Sequence, residues 1–236
     1  MNVKSLRIMV CSSCDNTCNS CSHLAMRNNN IQYHLSLESL SKFIKCTEES
    51  GYVFSTVVID GDGEPLLWKN LNSGIEQLYK SKSFQQIIIT TNGNRLNNIK
   101  GETWEYIDTL EVSVYPNFKN RDTLDRLRLR YPLKIEVNSI DFFQKPKHDY
   151  PYPIPCICVC PGPTLYDNKI YLYCGPNVFD ALKYSDIPEE NISTEIALNY
   201  LKDYDSKSVG NLEYCRYCLA NNEGTFSLTP VGQYDR

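Results

Sequence analysis

Five short apolar runs constrain the fold of this chain: LRIMV (Leu6–Val10), STVVID (Ser55–Asp60), and the cores of QQIIITTNG, TLEVSVYP and LKIEVNSI. Each is strand-sized, and they read as continuous runs rather than alternating ones. Helical periodicity fills the gaps between them. Leu37, Leu40, Phe43 and Ile44 repeat behind the N-cap candidate Ser36 and ahead of Gly51. Leu71, Ile75, Leu78 and Tyr79 share one face of a second helix, and RDTLDRLRLR forms another that Pro132 ends. Continuous strands alternating with helices predict an α/β fold, a parallel sheet covered by helices. A sixth strand is expected near PIPCICVC, where prolines compete with strand pairing. The pattern changes after about Phe142, where a proline-rich stretch marks a boundary between residues 1–145 and 146–236. The second unit predicts a β-hairpin in TLYDNKIYLYC, with Asp167 and Asn168 at its turn, and a short helix in TEIALNYLKDY.

The 236 residues include eleven cysteines, a number that suits metal sites better than a closed disulfide framework. The apolar N-terminal stretch is too short for a signal sequence, and no apolar run approaches a membrane span, so a cytoplasmic protein is expected. The formal net charge of −4, without a basic stripe, argues against a nucleic-acid partner.

Four cysteines crowd into CSSCDNTCNSC, right after the first strand, where parallel α/β folds place function. Cys14, Cys18 and Cys21 form C-x3-C-x2-C. Three thiolates on a 4Fe–4S cube leave one iron open to a chelating substrate. With Cys11 included, the same stretch also satisfies a closed zinc site. The second set comprises Cys156, Cys158 and Cys160 in CICVC, Cys174 after the hairpin, and Cys215 and Cys218 in CRYC. A C-x2-C pair, the hairpin cysteine and one upstream cysteine make four ligands for a tetrahedral or cubane site, and zinc remains the alternative. Cys11 and Cys46 read as buried thiols. His23, His34 and His148 read as surface or loop histidines.

With these motifs in order, the chain resembles the radical S-adenosylmethionine (radical SAM) superfamily from about Leu6 to Ile140. GDGEP after the second strand is similar to that family's glycine–glutamate turn, and TTNG at the end of the third is another common feature there. One position departs: Ser20 stands before the third cysteine, where the family usually has an aromatic residue. The resemblance implies a partial (βα) barrel. Cys14, Cys18 and Cys21 hold the catalytic 4Fe–4S cluster, and S-adenosylmethionine chelates its open iron. Asp62, Gly63 and Glu64 form the turn that takes the ligand's ammonium on backbone carbonyls. Gly63 permits close approach, so a side chain there is expected to weaken ligand binding at unchanged iron content. Ser113 and Asn138 are implied as polar contacts to ribose or carboxylate; no further catalytic residue is assigned.

The C-terminal unit resembles the twitch, or shortened SPASM-type, module, a small cysteine-rich hairpin-and-helix domain. It implies a second 4Fe–4S cluster on Cys174, Cys215, Cys218 and Cys156, with Cys158 or Cys160 as alternatives to Cys156. The implied activity is that of a radical SAM oxidoreductase or epimerase acting on a small molecule or peptide, reduced by a donor such as flavodoxin or ferredoxin. The competing expectation is a non-catalytic zinc-binding module with both cysteine sets structural.

Overall fold

The computed structural model describes residues 5–16, 32–60, 63–116, 118–140, 142–144, 163–171, 191–193, 198 and 228–230. Strand β1 (Ser5–Met9) is followed by helix α1 (Leu37–Ser50), β2 (Thr56–Asp60), α2 (Leu71–Lys80), β3 (Ile87–Thr91), the short α3 (Thr103–Tyr106), β4 (Thr109–Val114), α4 (Arg121–Arg130) and β5 (Ile135–Ser139). Then come β6 (Phe142–Gln144), β7 (Thr164–Tyr166), β8 (Lys169–Tyr171), β9 (Asn191–Ser193) and β10 (Leu228–Pro230).

The main sheet runs β5-β4-β3-β2-β1-β7-β8-β9 and is not closed. From β5 through β7 every pairing is parallel, whereas β8 and β9 join antiparallel. The α/β reading therefore holds. The sixth parallel strand is β7, the first half of the expected hairpin, and it docks on β1. Residues 153–160, near which a sixth strand is expected, lie outside the described residues. The hairpin turn is where the residue types put it, with Asp167 at φ 46° and Asn168 at φ 62°. Those two positive values make a type I′ turn, which matches strand twist and which Asp and Asn tolerate. β6 pairs with β10 in a separate two-stranded sheet.

Local chemistry sets the helix ends. The Ser36 hydroxyl accepts from the Ser39 N–H, and Gly51 closes α1 in the left-handed conformation at φ 68°. The helix-covered face of the sheet carries Leu6, Ile8, Val57, Ile59, Ile87, Ile89, Leu110, Val112 and Ile135, all buried. On the other face Arg7, Val58, Thr90, Glu111 and Ser113 are half-buried, so the strands alternate more than their apolar runs suggest. Arg7 reaches across that face to pair with Asp60. In α2, Leu71, Ile75 and Leu78 face the core as expected, but Tyr79 is 55% exposed and stacks on Tyr106. Gly74 takes the remaining core position, because a Cβ there would lie 2.0 Å from the Trp68 ring. Among the described residues, no helix is long and apolar enough to cross a membrane.

Candidate active site at the strand ends

Because β1, β2 and β3 are adjacent and parallel, the turns that leave their C-terminal ends lie side by side. The loop after β1 has a zipped base. Leu35 N–H donates to the Val10 carbonyl at 2.8 Å, Ser12 N–H to the Tyr33 carbonyl at 3.0 Å, and Tyr33 N–H back to the Ser12 hydroxyl at 2.8 Å. Cys14 lies just beyond this base, half-exposed.

The turn after β2 is stitched to that loop through backbone. Glu64 N–H donates to the Ser13 carbonyl at 2.6 Å. A Cβ on Gly63 would lie 2.1 Å from the Ser13 carbonyl oxygen and 2.7 Å from the Ser12 carbonyl carbon. Glycine is required there because two backbones touch. The Cys11 thiol is 1% exposed and donates to the Glu64 carbonyl at 3.2 Å.

The Glu64 carboxylate ties in the third turn. It accepts from the Leu66 N–H at 3.0 Å, the Asn92 N–H at 2.8 Å and the Thr91 hydroxyl. Burial pushes the Glu64 carboxyl up to about 7 against the pull of these donors, and the nearby Asp15 charge adds to the rise. An acid with a raised folded-state pKa binds more protons folded than unfolded, so it costs stability as pH rises from its ordinary value to about 7. Denaturant titrations of the wild type are therefore expected to show stability falling between pH 5 and 7 and levelling above, relative to Glu64→Gln. Parallel profiles for the two proteins would refute this.

The third seam joins the cysteine loop to the turn after β3. The Asn92 side-chain amide donates to Asp15 Oδ1 at 2.9 Å and to Cys14 Sγ at 3.9 Å. Asn16 N–H donates to the same sulfur at 3.4 Å. Asn94 Nδ2 donates to Asn16 Oδ1, and Arg95 Nε to Asp15 Oδ2, at 2.9 and 2.8 Å. The turn is itself held: Asn94 N–H donates to Asn92 Oδ1 at 2.9 Å, and Asn120 Nδ2 donates to the Asn94 carbonyl at 2.6 Å.

Of the assigned cluster cysteines, Cys14 falls within the described residues; Cys18, Cys21, Cys156, Cys158, Cys160, Cys174, Cys215 and Cys218 lie outside them, as do Asp62, His23 and His148. Among the described residues no three His, Cys, Asp or Glu side chains gather as ion ligands. Ser113 and Asn138 are register partners near the ends of β4 and β5, the first half-buried and the second exposed. Cys46 is half-buried rather than buried. The Glu64 carbonyl accepts from the Cys11 thiol at 3.2 Å and keeps a second lone pair, while its carboxylate faces inward.

Sequence reading passed over Asp15, Asn16, Asn92, Asn94 and Arg95, although TTNG and the DN after Cys14 were both in view. It also set aside His34, whose Nε2 lies 3.2 Å from the Ser13 hydroxyl. Burial, with a smaller effect from Lys69, holds that imidazole below its ordinary range. The hairpin reaches the same region: Asp167 N–H donates to the Tyr33 hydroxyl at 3.3 Å, and the Tyr33 and Tyr166 rings meet edge-on at 4.7 Å.

A family model described as a 4Fe-4S single cluster domain matches residues 5–136, more than half of the chain. No curated protein matches. Among solved structures, selenomethionine BtrN in an open conformation aligns over 93% of this chain and 92% of its own, at 15% identity and TM-score 0.57. At this identity the likeness speaks for the fold. BtrN in complex with AdoMet and 2-DOIA aligns over 58% of this chain and 56% of its own, at 19% identity and TM-score 0.46. HydG, a maturase of the FeFe-hydrogenase, aligns over 59% and 44%, at 12% identity and TM-score 0.32.

Proposed function

The chain belongs to the family of 4Fe-4S single cluster domains, and from that premise we propose that it is a radical SAM enzyme that reductively cleaves S-adenosylmethionine. The 5′-deoxyadenosyl radical released then takes a hydrogen atom from a small molecule or peptide, with dehydrogenation or epimerisation as the outcome. The observation that carries this reading is the stitching of Gly63 and Glu64 to Ser13 beside Cys14. It makes the glycine–glutamate turn and the cysteine loop one unit at the ends of adjacent strands.

Cys14 fits a cluster ligand, because its half-exposed sulfur accepts two N–H groups, as iron-bound thiolates do. Cys14, Cys18 and Cys21 would hold the 4Fe–4S cluster. When bound, such a cluster supplies one electron to the sulfonium of S-adenosylmethionine. Glu64 and Gly63 keep the ligand-facing turn against the cysteine loop. Ser113 and Asn138, at neighbouring strand ends, supply polar groups for the ligand's ribose or carboxylate. Residues 146–236 would supply a twitch-like unit, in which Cys174, Cys215, Cys218 and one of Cys156, Cys158 and Cys160 would hold a second 4Fe–4S cluster. A flavodoxin or ferredoxin donates the electron.

Anaerobically purified protein is expected to be brown and to form 5′-deoxyadenosine with S-adenosylmethionine and dithionite. A colourless, zinc-loaded protein would overturn the reading. Wild type should reconstitute to about eight irons per chain, and Cys215→Ala/Cys218→Ala to about four. Full iron retention in the double variant removes the second cluster.

A further inference from the structure

Resting on the cluster reading above, we infer that Asn92 is a positioning residue for the catalytic cluster. It holds the first cysteine through its sulfur and tunes the electron affinity of whatever that sulfur binds. A side-chain amide has two hydrogens. In Asn92 one goes to Asp15 Oδ1 at 2.9 Å and the other points to Cys14 Sγ at 3.9 Å. The amide is not free to turn away. Asn92 is buried, its own N–H is taken by the Glu64 carboxylate at 2.8 Å, and its Oδ1 is taken by the Asn94 N–H at 2.9 Å. With Oδ1 committed, Nδ2 must face the cysteine loop.

Two donors therefore converge on one sulfur, the Asn16 N–H from within the loop and the Asn92 amide from the far side of it. The first travels with the loop. The second is anchored to β3 and so fixes where the sulfur sits. Uptake of one electron by an iron–sulfur cluster raises the negative charge on its cysteine sulfurs. A donor aimed at such a sulfur stabilises the reduced form and raises the reduction potential. Arg95 serves as the internal comparison, because it grips Asp15 at 2.8 Å without touching the sulfur.

The test compares Asn92→Asp, the uncharged Asn92→Ser and the charge-keeping Arg95→Lys with wild type by reductive titration followed by electron paramagnetic resonance. The signal that changes when S-adenosylmethionine is added is the one scored. Aspartate keeps the acceptor for the Asn94 N–H and nearly the same volume, but loses both amide hydrogens. At a fixed poise, the reduced-to-oxidised ratio of that signal is expected to fall roughly three- to tenfold in Asn92→Ser, the worth of one net hydrogen bond, and further in Asn92→Asp, whose added carboxylate charge acts in the same direction. Arg95→Lys, which keeps the charge beside Asp15, is expected to match wild type. Loss of iron from Asn92→Asp alone, with unchanged circular dichroism, also supports the positioning role. An unchanged ratio at full iron, or equal changes in the Asn92 and Arg95 variants, overturns it. If Asn92→Asp does not fold, Asn92→Ser carries the test alone, since serine can still cap the Asn94 N–H and cannot reach the sulfur. Absence of any S-adenosylmethionine-responsive signal in the wild type would instead sink the functional reading beneath this inference.

Discussion

Gly63→Val protein is expected to leave anaerobic reconstitution with about four irons per chain fewer than wild type, and to form no 5′-deoxyadenosine. Even one added carbon at this position lies 2.1 Å from the Ser13 carbonyl oxygen and 2.6 Å from its carbon. Both are backbone atoms, so neither can swing aside as a side-chain tip would. The two chain segments must separate, and the 2.6 Å bond from Glu64 N–H to the Ser13 carbonyl goes with them. Ser13 adjoins Cys14, so the displacement falls on the cluster loop itself. The sequence-based expectation differs: weaker ligand binding at unchanged iron content. Iron analysis with calorimetry separates the two. Normal iron with weakened S-adenosylmethionine affinity would return Gly63 to the ligand-crowding role and discard the loop-displacement account. Circular dichroism like that of wild type should accompany the loss, because the sheet beneath does not depend on this contact.

Alanine at Cys14, Cys18 or Cys21 is expected to drop S-adenosylmethionine cleavage below detection, while Cys11→Ala keeps it. Cys14 is half-exposed and its sulfur accepts hydrogen bonds; Cys11 is 1% exposed and its thiol donates one to the Glu64 carbonyl. A thiol buried against the Glu64 carbonyl would have to break that contact and reach the surface to meet iron. Losing the thiol costs packing and one weak bond, about 1 kcal/mol of stability. The measurement is 5′-deoxyadenosine formed per chain under dithionite, alongside iron content. Loss of cleavage in Cys11→Ala at normal iron would sink the ligand assignment, as would persistence of cleavage in any of the other three.

Legibility in the sequence followed the range of the interactions concerned. The caps of α1 were readable because a serine hydroxyl and a glycine with positive φ act within three residues. The Asp167–Asn168 turn was readable because tolerance of positive φ belongs to single residues. Tyr79 was misplaced because it sits one position beyond Leu78, at the edge of the apolar face, and Trp68 had already claimed the space over Gly74. The cysteine loop was found by spacing, and its seat on the turn after β3 was not. Asn92 and Cys14 are 78 residues apart, and no periodicity joins them.

The sequence by itself determined the order of β1 to β5 with α1, α2 and α4 between them, the parallel class of that sheet and the three-cysteine spacing, because propensity, capping and hydrophobic period act over a few residues. Only the tertiary structure decided that β7 extends the sheet beside β1, that Gly63 makes room for Ser13, and that Glu64 and Asn92 clasp three strand ends together. Parallel strands bring their C-terminal ends together only after every crossover has folded. The contacts made there join positions far apart in the chain, and their chemistry exists only once the sheet has set the distance between them.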